Sequence, residues 1–146
     1  MNFNEMEKRL KALEDLEEIK KLHQRYISYL DNLQFEKSLD LFTDDATAEI
    51  RDSGIHNGKN EIAELYSKMA AFRKDVKEGH FVIQPDIIVE GDKATGTWIV
   101  YILFLGPSVQ WVQGRNECEY VKESGKWKFR KLKFTRINAS QPHMFP

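Results

Sequence analysis

The chain has few of the residues that staple or interrupt a backbone. Its single cysteine, Cys118, excludes an intramolecular disulfide and a cysteine-based metal cluster. With no nucleophile-activating base in view, Cys118 reads as a core residue. Such sparing cysteine usage fits a reducing compartment, so a cytoplasmic location is expected. Long apolar runs are absent. The longest, Trp98 to Leu105, is strand-sized, and no membrane association is expected. Residues Met1 to Lys8 hold acids and no apolar stretch, so no signal peptide is expected.

Charge of one sign is lacking as well. With 22 basic and 23 acidic residues, the net charge of −1 leaves no broad footprint for nucleic acid. The basic run Lys126 to Lys133 alternates with Trp127 and Phe129 and reads as a solvated strand face. There is no G-x-G-x-x-G, no Walker loop and no G-x-S-x-G elbow. Neither His23 nor His56 sits in a recognisable ligand spacing, so neither metal nor organic cofactor is expected.

What remains is ordinary globular material. The 146 residues suit one domain, 41% hydrophobic and 31% charged, which sets disorder aside. Residues 1–53 contain no glycine and no proline; all 8 glycines and all 4 prolines follow. A helical first third and a turn-rich remainder are therefore expected. Met6, Leu10, Leu13, Leu16, Ile19, Leu22, Tyr26 and Tyr29 recur at helical spacing and predict one long amphipathic helix ending near Asp31–Asn32. Phe35, Leu39 and Phe42 predict a second, short helix, broken at Asp44–Asp45. A strand then begins at Thr47. Ser53 to Gly58 reads as turns, and Asn60 as the cap of a third helix with Ile62, Leu65, Met69 and Phe72 inward.

After Gly79 the pattern becomes β-like over 80–90, 93–105, 109–122 and 127–138. Gly91–Asp92, Gly106–Pro107–Ser108 and Ser124–Gly125 separate these segments at hairpin spacing. Helices segregated from a mostly antiparallel sheet define an α+β fold. Long strands must coil, and a strongly curved sheet closed by a helix leaves a conical hollow.

At this point the residues resemble those of a known family. The run Ile19 to Asp31, with Tyr26 ahead of Leu30–Asp31, resembles the opening helix of SnoaL-like (nuclear transport factor 2-like) proteins. Leu41 to Ala46, Gly58 with Ile62, His80 ahead of Pro85 to Trp98, and Trp127–Lys128–Phe129 resemble the signatures that follow, in the same order. The resemblance covers roughly residues 10–138. It implies a cone-shaped α+β barrel, with three N-terminal helices on a strongly curved, mixed, mostly antiparallel sheet. Residues 1–146 then form one domain, with 1–9 and 139–146 as terminal extensions.

Within the family the chain is most similar to the scytalone dehydratase, bile-acid 7α-dehydratase and hexachlorocyclohexane dehydrochlorinase group. That resemblance implies His80 as general base and Asp31 as the carboxylate orienting it. Tyr26 matches a tyrosine that binds substrate oxygen in some members, and Arg136 falls near an arginine of the bile-acid enzyme. Where dehydratases carry a second acid or histidine in the middle strand, this chain has Ile102.

The residue types support the chemistry in part. An imidazole accepts protons near neutral pH, and a partner carboxylate fixes its tautomer. Tyr26 is inward by periodicity, so its hydroxyl needs a partner, either a substrate oxygen or a structural group. Tyr101 and Tyr120 leave the same choice open. Leu132, Phe134 and Arg136 share a strand face, so Arg136 either enters the pocket or emerges at its rim. Asn116 lies on an apolar face and either binds ligand or satisfies backbone. Trp98 reads as pocket wall or core.

The expected activity is a cofactor-independent, dehydratase-like lyase acting on a hydrophobic cyclic or aromatic small molecule. Catalytic residues are His80, Asp31 and Tyr26; substrate contacts are Arg136, Tyr101, Trp98, Ile102, Asn116 and Tyr120. Isomerisation or polyketide-type cyclisation uses the same parts, and a non-catalytic binding or assembly domain is the rival. A homodimer or homotrimer is expected, formed through the strand face of Trp111, Gln113, Arg115, Glu117 and Glu119.

Overall fold

A computed structural model describes residues 2–73 and 76–141. Helix α1 (Phe3–Asp31) is capped by Asn2, whose side chain accepts the Glu5 amide, and closes at Asn32. Helix α2 (Phe35–Ser38) is a single turn that runs on into a 3₁₀ turn, Leu39–Leu41. Strand β1 (Phe42–Ile50), strand β2 (Ile55–Asn57) and helix α3 (Gly58–Phe72) follow. Then come β3 (Lys77–Glu90), β4 (Lys93–Leu105), β5 (Val109–Glu123) and β6 (Lys126–Ala139).

The six strands form one sheet in the order β2-β1-β6-β5-β4-β3. All neighbours are antiparallel except β1 and β6, which run parallel. The sheet is mixed and curved but stays open, with β2 and β3 as its edges. Its curvature has local causes. The β3–β4 register shifts between Ile83 and Asp86, where Gln84 takes a left-handed backbone (φ 50°) ahead of Pro85. Two further shifts interrupt β5–β6, beside Gly114 and beside Tyr120. The hairpin turns follow their sequences: Ser124 and Gly125 both have positive φ, as a two-residue turn with matching twist requires.

Several local expectations change. Strand β1 starts at Phe42 rather than Thr47, and Asp44–Asp45 sit inside its irregular start, where the register with β6 shifts. The segment expected as turns contains β2, which pairs Ile55–Asn57 with Thr47–Glu49. Helix α3 starts at Gly58 with Asn57 before it, and Asn60 lies within the helix. The left-handed φ of Gly58 (79°) lets the chain turn directly from strand to helix. Phe72 is exposed. The helix begins at Phe3, inside the expected extension at 1–9. Of the expected extension at 139–146, residues 142–146 lie outside the described residues.

The long helical stripe is only half used. Met6, Leu10 and Leu13 are 51%, 57% and 60% exposed, and α1 has no buried residue before Asp15. The buried stripe is Asp15, Ile19, Leu22, His23, Tyr26, Ile27 and Leu30. Its apolar members, Ile19, Leu22, Tyr26, Ile27 and Leu30, pack with α3 and the inner sheet face into the main core. A smaller apolar cluster, Val100, Ile102, Phe104, Val112 and Phe134, fills the other part of the concave face. No helix among the described residues is long and apolar enough to cross a membrane.

Candidate active site

A chamber of about 50 Å³ lies where the two clusters meet. Tyr26, Ile27 and Leu30 of α1 form one wall. Val100, Ile102, Leu132 and Phe134 form the sheet wall, with Asn116 among them. His80 and Glu78 enter from β3 on the same inner face, being two residues apart on one strand.

Asp31 is the last residue of α1, and β3 passes next to that helix end. Its carboxylate takes the His80 main-chain N–H at 3.2 Å to each oxygen. Oδ1 also lies 2.6 Å from Nδ1 of the His80 ring. An ionised carboxylate can only accept, so Nδ1 is the donor in this contact, and in the neutral tautomer the lone pair sits on Nε2. The His80 side chain is 9% exposed and that of Asp31 29%, so the pair sits at the junction of interior and solvent.

Nε2 of His80 lies 3.9 Å from Oε2 of Glu78, whose side chain is itself 6% exposed. Glu78 ion-pairs with Nε of Arg73, which is equally buried. Arg73 also donates to the Leu30 carbonyl at 2.8 Å and stacks over the Phe35 ring. A cation on the last carbonyls of α1 offsets the helix dipole there. One arginine therefore ties the ends of α1 and α3 to the start of β3, and so helps set where Asp31 meets His80. Neither Glu78 nor Arg73 was singled out from sequence. Glu78 had a usable signal, its i−2 position to His80; Arg73 had none, because its partners are distant in the chain.

Tyr26 reaches the chamber, and its hydroxyl shares a 2.6 Å hydrogen bond with Tyr66. Burial first, and then the neighbouring Tyr66, push the Tyr26 phenol well above its ordinary value, so it stays protonated. Ile102 pairs with His80 across β3–β4 and presents only hydrocarbon to the chamber. Arg136 is half-buried on β6, close enough to Arg51 for their charges to interact.

The structure places three expected substrate contacts elsewhere. Trp98 and Tyr120 are committed to a buried network, in which the Trp98 indole donates to the Tyr120 hydroxyl at 3.0 Å. His23 stacks on Trp98 with centroids 4.4 Å apart and bonds Tyr120 through Nδ1 at 3.1 Å. Its Nε2 faces the Asn116 amide nitrogen at 3.0 Å. Asn116 thus touches the chamber, but its amide is engaged by His23. Tyr101 is on the opposite sheet face, where its hydroxyl accepts from Gln113. Strand alternation explains this: Val100 and Ile102 point inward, so Tyr101 points out. Among the described residues no three His, Cys, Asp or Glu side chains converge as metal ligands.

An outer vestibule of about 540 Å³ adjoins the chamber and shares Ile50, Arg51, Met69 and Glu78 with it. The inner chamber alone has room for little more than water, so an organic ligand needs the vestibule, whose size suits a small molecule.

The geometry by itself defines a class: an α+β cone on an open curved sheet, with a histidine–carboxylate pair at the entrance to its hollow. The SnoaL-like domain model matches residues 11–133, and the chain belongs to the SnoaL-like domain family. No curated protein matches the chain at a significant level. Among solved structures, the chain is similar to a putative scytalone dehydratase from Novosphingobium aromaticivorans. The TM-score is 0.81 at 17% identity, over 92% of this chain and 91% of that one. It is also similar to the hexachlorocyclohexane dehydrochlorinase LinA-type3 from Novosphingobium barchaimii. There the TM-score is 0.80 at 21% identity, covering 94% and 99%. An NTF2-like protein with a cystatin-like fold from N. aromaticivorans follows at TM-score 0.75 and 21% identity, over 97% and 93%. Likenesses this distant show the fold, which is the NTF2-like, cystatin-like one.

Proposed function

We propose that this protein is a cofactor-independent lyase of the dehydratase kind, acting on a hydrophobic cyclic or aromatic small molecule. One observation supports the reading: Asp31 holds His80 through both ring and backbone, so in the neutral tautomer Nε2 is the nitrogen that would act as base. In an elimination, Nε2 takes the proton on the carbon next to the substrate's electron-withdrawing group. The C–H electrons form the new double bond as the C–O bond breaks. The departing hydroxide leaves as water, taking a proton from the imidazolium. Asp31 stabilises the imidazolium while it exists. Tyr26, a neutral phenol at the chamber, donates to the substrate oxygen, and the vestibule wall binds its outer end, with Arg136 acting only through its charge on Arg51. Isomerisation starts with the same proton abstraction and differs only in where the proton returns.

Incubation with a panel of cyclic β-hydroxy ketones, read by mass spectrometry for loss of water, tests the proposal. His80→Ala is expected to abolish turnover of whichever member reacts while leaving the melting temperature close to wild type. Asp31→Asn, which keeps shape but not charge, is expected to cost about 10²- to 10⁴-fold in kcat. Unchanged turnover in His80→Ala sinks the mechanism.

We also propose a homo-oligomer that buries the outer sheet face. Phe81, Tyr101 and Gln113 lie side by side across β3, β4 and β5, with Leu103 and Trp111 beside them. Phe81 is 56% and Trp111 40% exposed, and such an apolar outer face favours association.

A further inference from the structure

The mouth of the site carries more cationic character than the lyase reading uses. Arg51, Lys68 and Arg73 line the vestibule against two acids, Asp52 and Glu78, and Glu78 is already held by Arg73. The rest of the wall is largely apolar, with Leu65, Met69, Phe72 and Phe104. Arg51 stands out among these cations because it lines both the vestibule and the inner chamber.

Its backbone is unusual too. Arg51 has a left-handed φ of 56°, a conformation that side-chain-bearing residues rarely adopt. Its N–H is anchored to the Phe134 carbonyl at 2.9 Å, at the parallel junction of β1 and β6. Strain of this kind persists where surrounding structure holds it, and it gathers at binding sites. Here it fixes a guanidinium at the boundary between the two cavities. Burial, and then the charge of Arg136, lower the Arg51 pKa, with Glu78 opposing. A partly buried guanidinium at this boundary, with the charge of Arg136 acting on it, is the electrostatic complement of an anion.

We propose that the vestibule binds an amphipathic organic acid, its carboxylate on Arg51 and its hydrocarbon body against Leu65, Met69 and Phe104. The acid is the substrate class of the inner chamber; this rests on the lyase reading, whereas the binding itself does not. A carboxylate on Arg51 would anchor the ligand at the boundary and turn the atoms next to it toward His80, while the hydrocarbon body stays in the vestibule. A planar guanidinium binds a carboxylate through two parallel hydrogen bonds, which sets direction as well as affinity.

The test compares two probes of equal size, 2-naphthoate and neutral 2-naphthalenemethanol, by calorimetric and NMR titration of the full chain. Naphthoate is expected to bind on the order of tenfold or more tightly than the alcohol. Arg51→Gly, which the left-handed backbone accepts, is expected to erase that difference, and Arg51→Lys to keep part of it. Should either variant fold poorly, wild-type protein still decides: raising ionic strength should weaken naphthoate and leave the alcohol unchanged. Equal affinities, no binding of either probe, or a naphthoate preference that survives Arg51→Gly would overturn the proposal. Because the readout is binding, such a failure leaves catalysis by Asp31–His80 standing. A naphthoate preference beside unimpaired turnover in His80→Ala overturns only the lyase reading.

Discussion

His23 shows what one buried side chain can demand of a protein. It is fully enclosed, and burial drives its pKa down to about 3. Unfolded, it returns to its ordinary value of 6.5. Below that pH the unfolded chain binds a proton that the folded chain refuses. The stability His23 contributes is therefore complete above about 6.5 and is lost progressively as pH falls toward 3, at up to ~1.4 kcal/mol per pH unit. Melting temperature is expected to decline from pH 6 to pH 4, and His23→Gln is expected to flatten that decline. Equal slopes in the two proteins would refute the assignment. The neutral ring also explains why Trp98 and Tyr120 are structural. With Nε2 accepting from Asn116, Nδ1 donates to Tyr120, whose hydroxyl also serves Trp98 and Cys118. Burial pushes the Cys118 thiol up to about 12, which keeps it an inert core group.

The meeting of β5 and β6 builds part of the chamber's sheet wall, beside Val100 and Ile102 of β4, and Gly114 permits it. A Cβ at Gly114 would overlap the Phe134 ring and the Thr135 carbonyl oxygen. The register shifts at that point, and Phe134 lies over the gap to face the chamber. Gly114→Ala is expected to destabilise by about 1–3 kcal/mol, as overpacking does, and to move Phe134 into the chamber. Thermal melts measure the first effect. A fall in ligand affinity without loss of the His80–Asp31 NMR contact reports the second. Alternation along β4 was legible in the sequence, whereas β3, expected from His80, starts three residues earlier at Lys77. The β1 start was not. Asp44–Asp45 look like breakers, yet β1 pairs in parallel with β6, a strand more than eighty residues away, which no local pattern announces.

The cone leaves one side of its sheet uncovered. Outer positions of β3, β4 and β5 gather Phe81, Ile83, Ile99, Tyr101, Leu103 and Trp111 by register. If this face joins copies of the chain, Phe81→Glu with Trp111→Arg is expected to lower the mass seen by light scattering to that of a monomer, with little change in the melt of each domain. An unchanged mass would exclude this face as the interface. The expectation from sequence had centred on β5 alone, since which strands lie beside it depends on pairing across the sheet.

The sequence by itself determined the α+β order, the hairpin spacing, the inward face of β4 and, through motif resemblance, the positions of Asp31 and His80. Each of these is a local property, set by periodicity, turn chemistry or short signatures. Only the tertiary structure decided what those side chains meet. It brought Asp31 to His80 across 49 residues of chain, put Glu78 at the other ring nitrogen, and joined Arg51 to the mouth of the site. It also moved Trp98, Tyr101 and Tyr120 out of the expected contact set, through a buried hydrogen-bond network and the parity of β4. Such outcomes depend on helix ends, bulges and parallel pairing, where a shift of one residue turns a side chain from the hollow to solvent.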